Sequence, residues 1–139
     1  MKPTHIEHLG IAVTSIEEAA PFFEFLSGNK CYSIEEVADQ KVRTAFFKVG
    51  EVKIELLEPT SPESTIAKFI EKNGGRGGIH HIAFKTKDVA AALEDAQSKG
   101  VLLIDKAPRP GAEGLNIAFL HPKSTQSVLT EICENPNEK

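Results

Sequence analysis

Slid against itself by 73 residues, the chain lays HLGIAVTSIEEAA (8–20) over HIAFKTKDVAAAL (81–93). His8 then falls on His81, Ser15 on Asp88, Ile16 on Val89 and Ala19 on Ala92. The same offset sets AFF (45–47) over AFL (118–120). Three extra residues in the following turn bring IELLE (54–58) over TEICE (130–134), so Glu55 lies over Glu131. Each identity is weak alone. In one order, at one offset with one short insertion, they mark a duplicated unit. A duplication of this size reduces the 139 residues to two copies of one small module, within the range of a single ordinary domain.

The local pattern predicts what each copy folds into. IEHLGIAV (6–13) alternates and is rich in β-formers, so it reads as a strand. SIEEAAPFFEFLSG opens on Ser15 as N-cap, carries acidic residues early and ends near Gly28, which predicts a helix. Pro21 inside it is expected to kink or shorten that helix. YSIEEVA, VRTAFFKVG and VKIELLEP predict three strands in a meander. The second copy predicts a strand at 79–86, a helix at 88–99 stopped by Gly100, and strands near 101–105, 115–120 and 127–133. Between the copies, SPESTIAKFIEKNGG (61–75) predicts a linker helix with Ile66, Phe69 and Ile70 on one face. The order βαβββ thus occurs twice, an α+β fold. It is expected as one domain over 1–139, with module 1 at about 5–59, the linker helix at about 62–74 and module 2 at about 78–134.

Successive side chains on a strand point to opposite faces, so His80 and His81 must diverge. In the first strand, Glu7, Leu9, Ile11 and Val13 make the mostly apolar face expected to pack on the helix. His8 shares the other face with Gly10 and Ala12. In the second copy His80, Ile82 and Phe84 share one face, and His81 shares the other with Ala83. The repeat-matched histidine is therefore expected on the helix-free side in both modules, among small neighbours. In the last strands Glu55 lies with Lys53 and Leu57, and Glu131 with Leu129 and Cys133. A buried carboxylate is costly unless it is paired or binds a metal. Two imidazoles (His8, His81) and two carboxylates (Glu55, Glu131), related by a pseudo-twofold axis, make a mixed N/O site for a divalent ion with open coordination positions. His5, His80 and His121 read as ordinary polar residues. The glycine-rich NGGRGG (73–78) is not followed by a helix and so does not read as a phosphate loop.

A net charge of −4 and a pI near 5.7 argue against a nucleic-acid partner or an anionic membrane surface. No apolar run approaches the roughly 20 residues that span a bilayer, and MKPTHIEHLG lacks the apolar core of a signal peptide. Cys31 and Cys133 read as small core hydrophobes rather than a disulfide, and a cytoplasmic location is expected.

HLGIAV, VKIELLEP, IAKFIEKNGGRGGIHHIAF and FLHPKSTQSVLTEI resemble the methylmalonyl-CoA epimerases of the vicinal oxygen chelate (glyoxalase/bleomycin resistance/dioxygenase) superfamily. The resemblance covers about residues 5 to 134, and GIHHIAF and FLHPK are its most specific parts. Glyoxalase I relatives typically end in a DPDG…IEL pattern, where this chain has HPKSTQSVLTEI. The resemblance implies two βαβββ modules forming a cupped mixed sheet, with His8, Glu55, His81 and Glu131 holding one divalent ion at its bottom. Cobalt stands first among cobalt, nickel, manganese and zinc, between which ligand type alone does not choose. It further implies an acyl-CoA substrate, a 2-methylmalonyl thioester, and a homodimer. Some relatives carry a second glutamate where this chain has Thr44, which cannot serve as a base. Glu131 is then one catalytic base and Glu55 the candidate for the second. A glyoxalase I activity and a metal-free binding or resistance protein of the same fold are the alternatives. Lys123 and Arg76 are basic residues in predicted loops, with no role assigned toward the coenzyme A tail.

Overall fold

The computed structural model describes residues 1–138. They comprise eight strands and three α-helices, and divide into two compact units. One unit runs from His8 to His80, and the other joins residues 1–7 to the chain from His81 onward.

The first unit carries most of β1 (His5–Ala12), then α1 (Ile16–Ser27), β2 (Ser33–Val37), β3 (Val42–Val49), β4 (Val52–Pro59) and α2 (Thr65–Lys72). Its strands lie in the order β2-β3-β4-β1. The meander pairs are antiparallel, and β1 runs parallel to β4, as an α1 crossover requires. α1 starts where the Ser15 hydroxyl accepts the Glu18 N–H at 3.2 Å. It ends at Gly28, whose φ of +73° only glycine adopts without strain. Pro21 does not shorten the helix: it is the sixth helical residue, just past the turn whose N–H groups have no intrahelical partner, so only one ladder bond is lost. The inner stripe of α1, Ile16, Ala19, Ala20 and Phe23, packs on Val13, Ala45, Phe47 and Leu56. α2 is capped by Ser64 and buries Ile66 and Ile70 against Ala12, Val42 and Leu57, with Phe69 beside them. Full burial of each isoleucine contributes on the order of 2–3 kcal/mol.

This corrects one expectation. The face of β1 and β4 that carries His8 and Glu55 is not helix-free along its length. Ala12 and Leu57 lie further along that same face, and their apolar surface draws α2 over them.

The second unit carries most of β5 (Gly78–Lys85), then α3 (Val89–Ser98), β6 (Arg109–Pro110), β7 (Asn116–Leu120) and β8 (Thr130–Glu134), with strand order β5-β8-β7-β6. β5 is parallel to β8, and the other pairs are antiparallel. Asp88 caps α3 through the Ala91 N–H at 3.0 Å. Val89, Ala92, Leu93 and Ala96 pack on Ala118, Leu120 and Ile132. The expected strand at 101–105 does not form: only Leu103 bridges to Leu120, and the edge strand is displaced to the two residues of β6. The cause is local. The Asp105 carboxylate takes the Phe119 N–H at 2.9 Å that a regular neighbouring strand would have paired through a carbonyl. Pro108 and Pro110, which lack an N–H, then limit what can follow.

Two glutamates extend the repeat. Glu58 at the end of β4 accepts the Ile16 N–H at 2.9 Å, and Glu134 at the end of β8 accepts the Val89 N–H at 3.0 Å. The offset that matches Glu55 to Glu131 matches these two as well. Each places a carboxylate at the positive end of its own module's helix. Among the described residues no helix is long and apolar enough to cross a membrane.

Candidate metal centre and its surroundings

The register of the parallel strands explains how each histidine meets its glutamate. In the first unit Glu55 of β4 stands opposite Gly10 of β1, two residues beyond His8. A glycine there leaves the space above the strand to the His8 ring, whose Nδ1 lies 3.2 Å from Glu55 Oε2. In the second unit Glu131 of β8 stands opposite Ala83 of β5, two residues beyond His81, and His81 Nε2 lies 3.4 Å from Glu131 Oε1. Gly10 and Ala83 are themselves matched by the repeat. All four polar side chains are buried. Each unit therefore builds one buried imidazole–carboxylate pair, on the residues the sequence had singled out.

The surroundings differ between the units. Around Glu55, Phe46 is its direct neighbour on β3 and stacks with Tyr32 at 5.8 Å between ring centres. Thr44, next along that face, is buried opposite Leu57, and its hydroxyl offers no base. In the second unit Phe119 stands opposite Glu131, and its ring meets His81 edge to face at 5.4 Å. Leu115, Ile117 and Cys133 close the face beyond Ala83. The guanidinium of Arg109 sits over the Phe119 ring, 5.6 Å from its centre.

The remaining histidines behave as ordinary polar residues. His80 points away from His81 and meets Phe69 of α2 edge to face at 5.1 Å; burial pushes its pKa down to about 4, so it is neutral. His121 Nδ1 accepts the Lys123 N–H at 3.0 Å, and His5 Nδ1 lies 3.0 Å from the Thr4 hydroxyl. Both cysteines are free thiols, Cys133 buried and Cys31 half-buried. The glycine-rich turn is a packing device. A Cβ on Gly77 would stand 2.0 Å from the Ala12 carbonyl oxygen, so only glycine passes there, and Asn73 Nδ2 donates to the carbonyls of Arg76 and Gly77.

Two residues near the pairs escaped the sequence reading. Glu7, expected on the helix-packing face, is a buried carboxylate next in sequence to His8. Arg109 occupies a proline-rich stretch whose spacing carries no periodic signal. Only its pairing with Ile117 in β6–β7 reveals that it shares the face of Phe119 and Glu131.

Residues 7–119 match the Glyoxalase/Bleomycin resistance protein/Dioxygenase superfamily. The chain belongs to this superfamily. Its fold is the vicinal oxygen chelate fold. The chain is 44% identical over 129 residues to the uncharacterized protein YqjC of Bacillus subtilis (strain 168), spanning 93% of this chain and 91% of that one. It is 34% identical to the mitochondrial methylmalonyl-CoA epimerase of Homo sapiens, over 91% of this chain and 72% of that protein. Among solved structures, a variant of Streptomyces coelicolor methylmalonyl-CoA epimerase in complex with 2-nitronate-propionyl-CoA superposes with a TM-score of 0.92 at 37% identity, covering 99% of both chains.

Proposed function

We propose that this protein is a metal-dependent epimerase that interconverts (R)- and (S)-methylmalonyl-CoA. The observation that carries the reading is the pair of buried, repeat-related imidazole–carboxylate couples, His8–Glu55 and His81–Glu131, in a chain 34–37% identical to named epimerases.

The residues fit a divalent cation. Two buried imidazoles and two buried carboxylates, with no thiolate among them, suit a borderline ion of the cobalt, nickel, manganese or zinc kind. A buried carboxylate held 3.2–3.4 Å from an imidazole is the arrangement that cation binding stabilises. His8, Glu55, His81 and Glu131 are the proposed ligands of one ion. When bound, that ion supplies Lewis-acid stabilisation for negative charge developing on the thioester oxygen.

The rest of the chemistry falls to side chains. C2 of the substrate lies between a thioester and a carboxylate, so its proton is acidic enough for a carboxylate base. Glu131 removes it from one face, and the C–H electron pair delocalises onto the thioester oxygen. A proton delivered to the opposite face of C2 completes the inversion, and Glu55, repeat mate of Glu131, is the group assigned to it. Each carboxylate has two oxygens, so one can act as ligand while the other carries the proton. Apolar Phe46, Ile117 and Phe119 on the same faces limit water and hence misdirected protonation.

The test offers purified, metal-loaded protein two substrates: single-epimer methylmalonyl-CoA, and the methylglyoxal–glutathione hemithioacetal. Epimerisation of the first without turnover of the second supports the reading. Turnover of the hemithioacetal alone would place the protein with the glyoxalases instead.

A further inference from the structure

Arg109 has a geometry that a surface arginine does not need. Its partner across β6–β7 is Ile117, which puts its side chain on the face that carries Phe119 and Glu131. Its guanidinium lies over the Phe119 ring, and the Phe119 ring in turn meets His81 edge to face. Asp105 fixes the group from one side: Oδ1 accepts the Nε–H at 3.0 Å while Oδ2 accepts the Phe119 N–H at 2.9 Å. The Asp105 side chain is largely buried, at 16% exposed, whereas that of Arg109 is 40% exposed. Among the described residues the guanidinium forms no other hydrogen bond. Its Nη1/Nη2 edge is therefore a preoriented fork, stacked on an aromatic ring and one ring away from a proposed metal ligand. Such a fork matches a carboxylate in bidentate fashion.

We propose that Arg109 binds the free carboxylate of the acyl-CoA substrate and so selects carboxylated thioesters over simple ones. This rests on the epimerase reading of the site. The phosphates of coenzyme A are the other anions such a substrate brings. They lie beyond the whole pantetheine arm, however, whereas the carboxyl carbon is bonded directly to the reacting carbon. A guanidinium two ring contacts from His81 is placed for the near anion. Arg109 here is a specificity residue. It offers a fork of N–H donors and no acceptor, so it binds an anion and moves no proton.

Propionyl-CoA differs from methylmalonyl-CoA only in lacking the carboxylate, so the two report the two anion sources separately. Equilibrium binding of both is measured on metal-loaded wild type, Arg109→Met and Arg109→Lys, beside deuterium exchange at C2 on wild type. Arg109→Met is expected to weaken methylmalonyl-CoA binding about ten- to a hundredfold, the range for a lost hydrogen bond to a charged group, and to leave propionyl-CoA binding within about twofold. Arg109→Lys, which keeps charge without the fork, falls between and serves if the Met variant folds poorly. Equal weakening of both ligands would assign Arg109 to the phosphates or to structure and overturn the proposal. Unchanged methylmalonyl-CoA binding, or wild type that does not distinguish the two thioesters, overturns it too. Wild type that prefers the carboxylated thioester through Arg109 yet exchanges no deuterium sustains this inference while sinking the epimerase reading.

Discussion

Glu55 and Glu131 stand opposite Gly10 and Ala83, and this smallness is what lets His8 and His81 reach them. The two carboxylates are alike in structure but are assigned opposite faces of one carbon, and substitution separates the roles. Glu131→Gln should slow inversion by more than about a hundredfold, as loss of a general base does, and stop exchange at C2 from the epimer that Glu131 deprotonates, while exchange from the other epimer continues. Glu55→Gln should slow inversion by a similar factor while exchange from one epimer continues, with metal content measured by elemental analysis to set aside simple loss of the ion. Full epimerase activity in metal-bound Glu55→Gln would remove Glu55 as the second base. These four residues were legible because a repeat is a strong filter: a strand histidine alone says little, but two at one offset, each with a glutamate at the matching later position, say a good deal. Arg109 was not legible, since its place depends on a two-residue strand between prolines that no periodicity announces. Glu7 was not singled out, because alternation sets it on the other face of β1 from His8 and the repeat gives it no acidic mate: Glu7 falls on His80.

At the scale of elements, the connection from α2 into β5 depends on one close passage. The absence of a side chain at Gly77 lets the backbone pass against the Ala12 carbonyl at the end of β1, and α2 covers Ala12 from the same face that carries His8. Gly77→Ala should cost more than about 2 kcal/mol, because a backbone atom rather than a flexible side chain must give way. Gly78→Ala, whose Cβ would come no nearer than 3.6 Å to Asn73 Nδ2, should stay within about 0.5 kcal/mol of wild type. Urea unfolding of the two variants checks this, and equal losses would mean the close approach does not govern the turn. Ile70→Ala in α2 should lose about 2–4 kcal/mol through the cavity left among Ala12, Val42, Leu57 and Ile66. Most elements were readable from capping and alternation: Ser15, Asp88, Gly28 and Gly100 stand where the helix ends were expected. The failure at 101–105 has the opposite origin. VLLI reads as a strand in isolation, but the Asp105 side chain occupies the donor its neighbour would need.

For the molecule as a whole, duplication explains why one sequence builds the same polar pair twice while changing what surrounds each. The first unit sets Phe46 and Thr44 beside its pair, and the second sets Phe119, with Arg109 over it. If one cation is held by all four residues, it binds the folded chain alone, and its removal must lower stability. Chelation should reduce the melting temperature by about 5–10 °C at metal concentrations near a hundred times Kd, restored by adding a divalent ion back. An unchanged melting temperature in protein shown to have held metal would argue that the pairs are structural. The central claim is most directly tested by following C2 of methylmalonyl-CoA in deuterium oxide by NMR, with metal-loaded protein and a chelated control. Metal-dependent deuterium incorporation accompanied by loss of stereochemical purity is the predicted result. Absence of incorporation in metal-loaded protein that binds the thioester would contradict it.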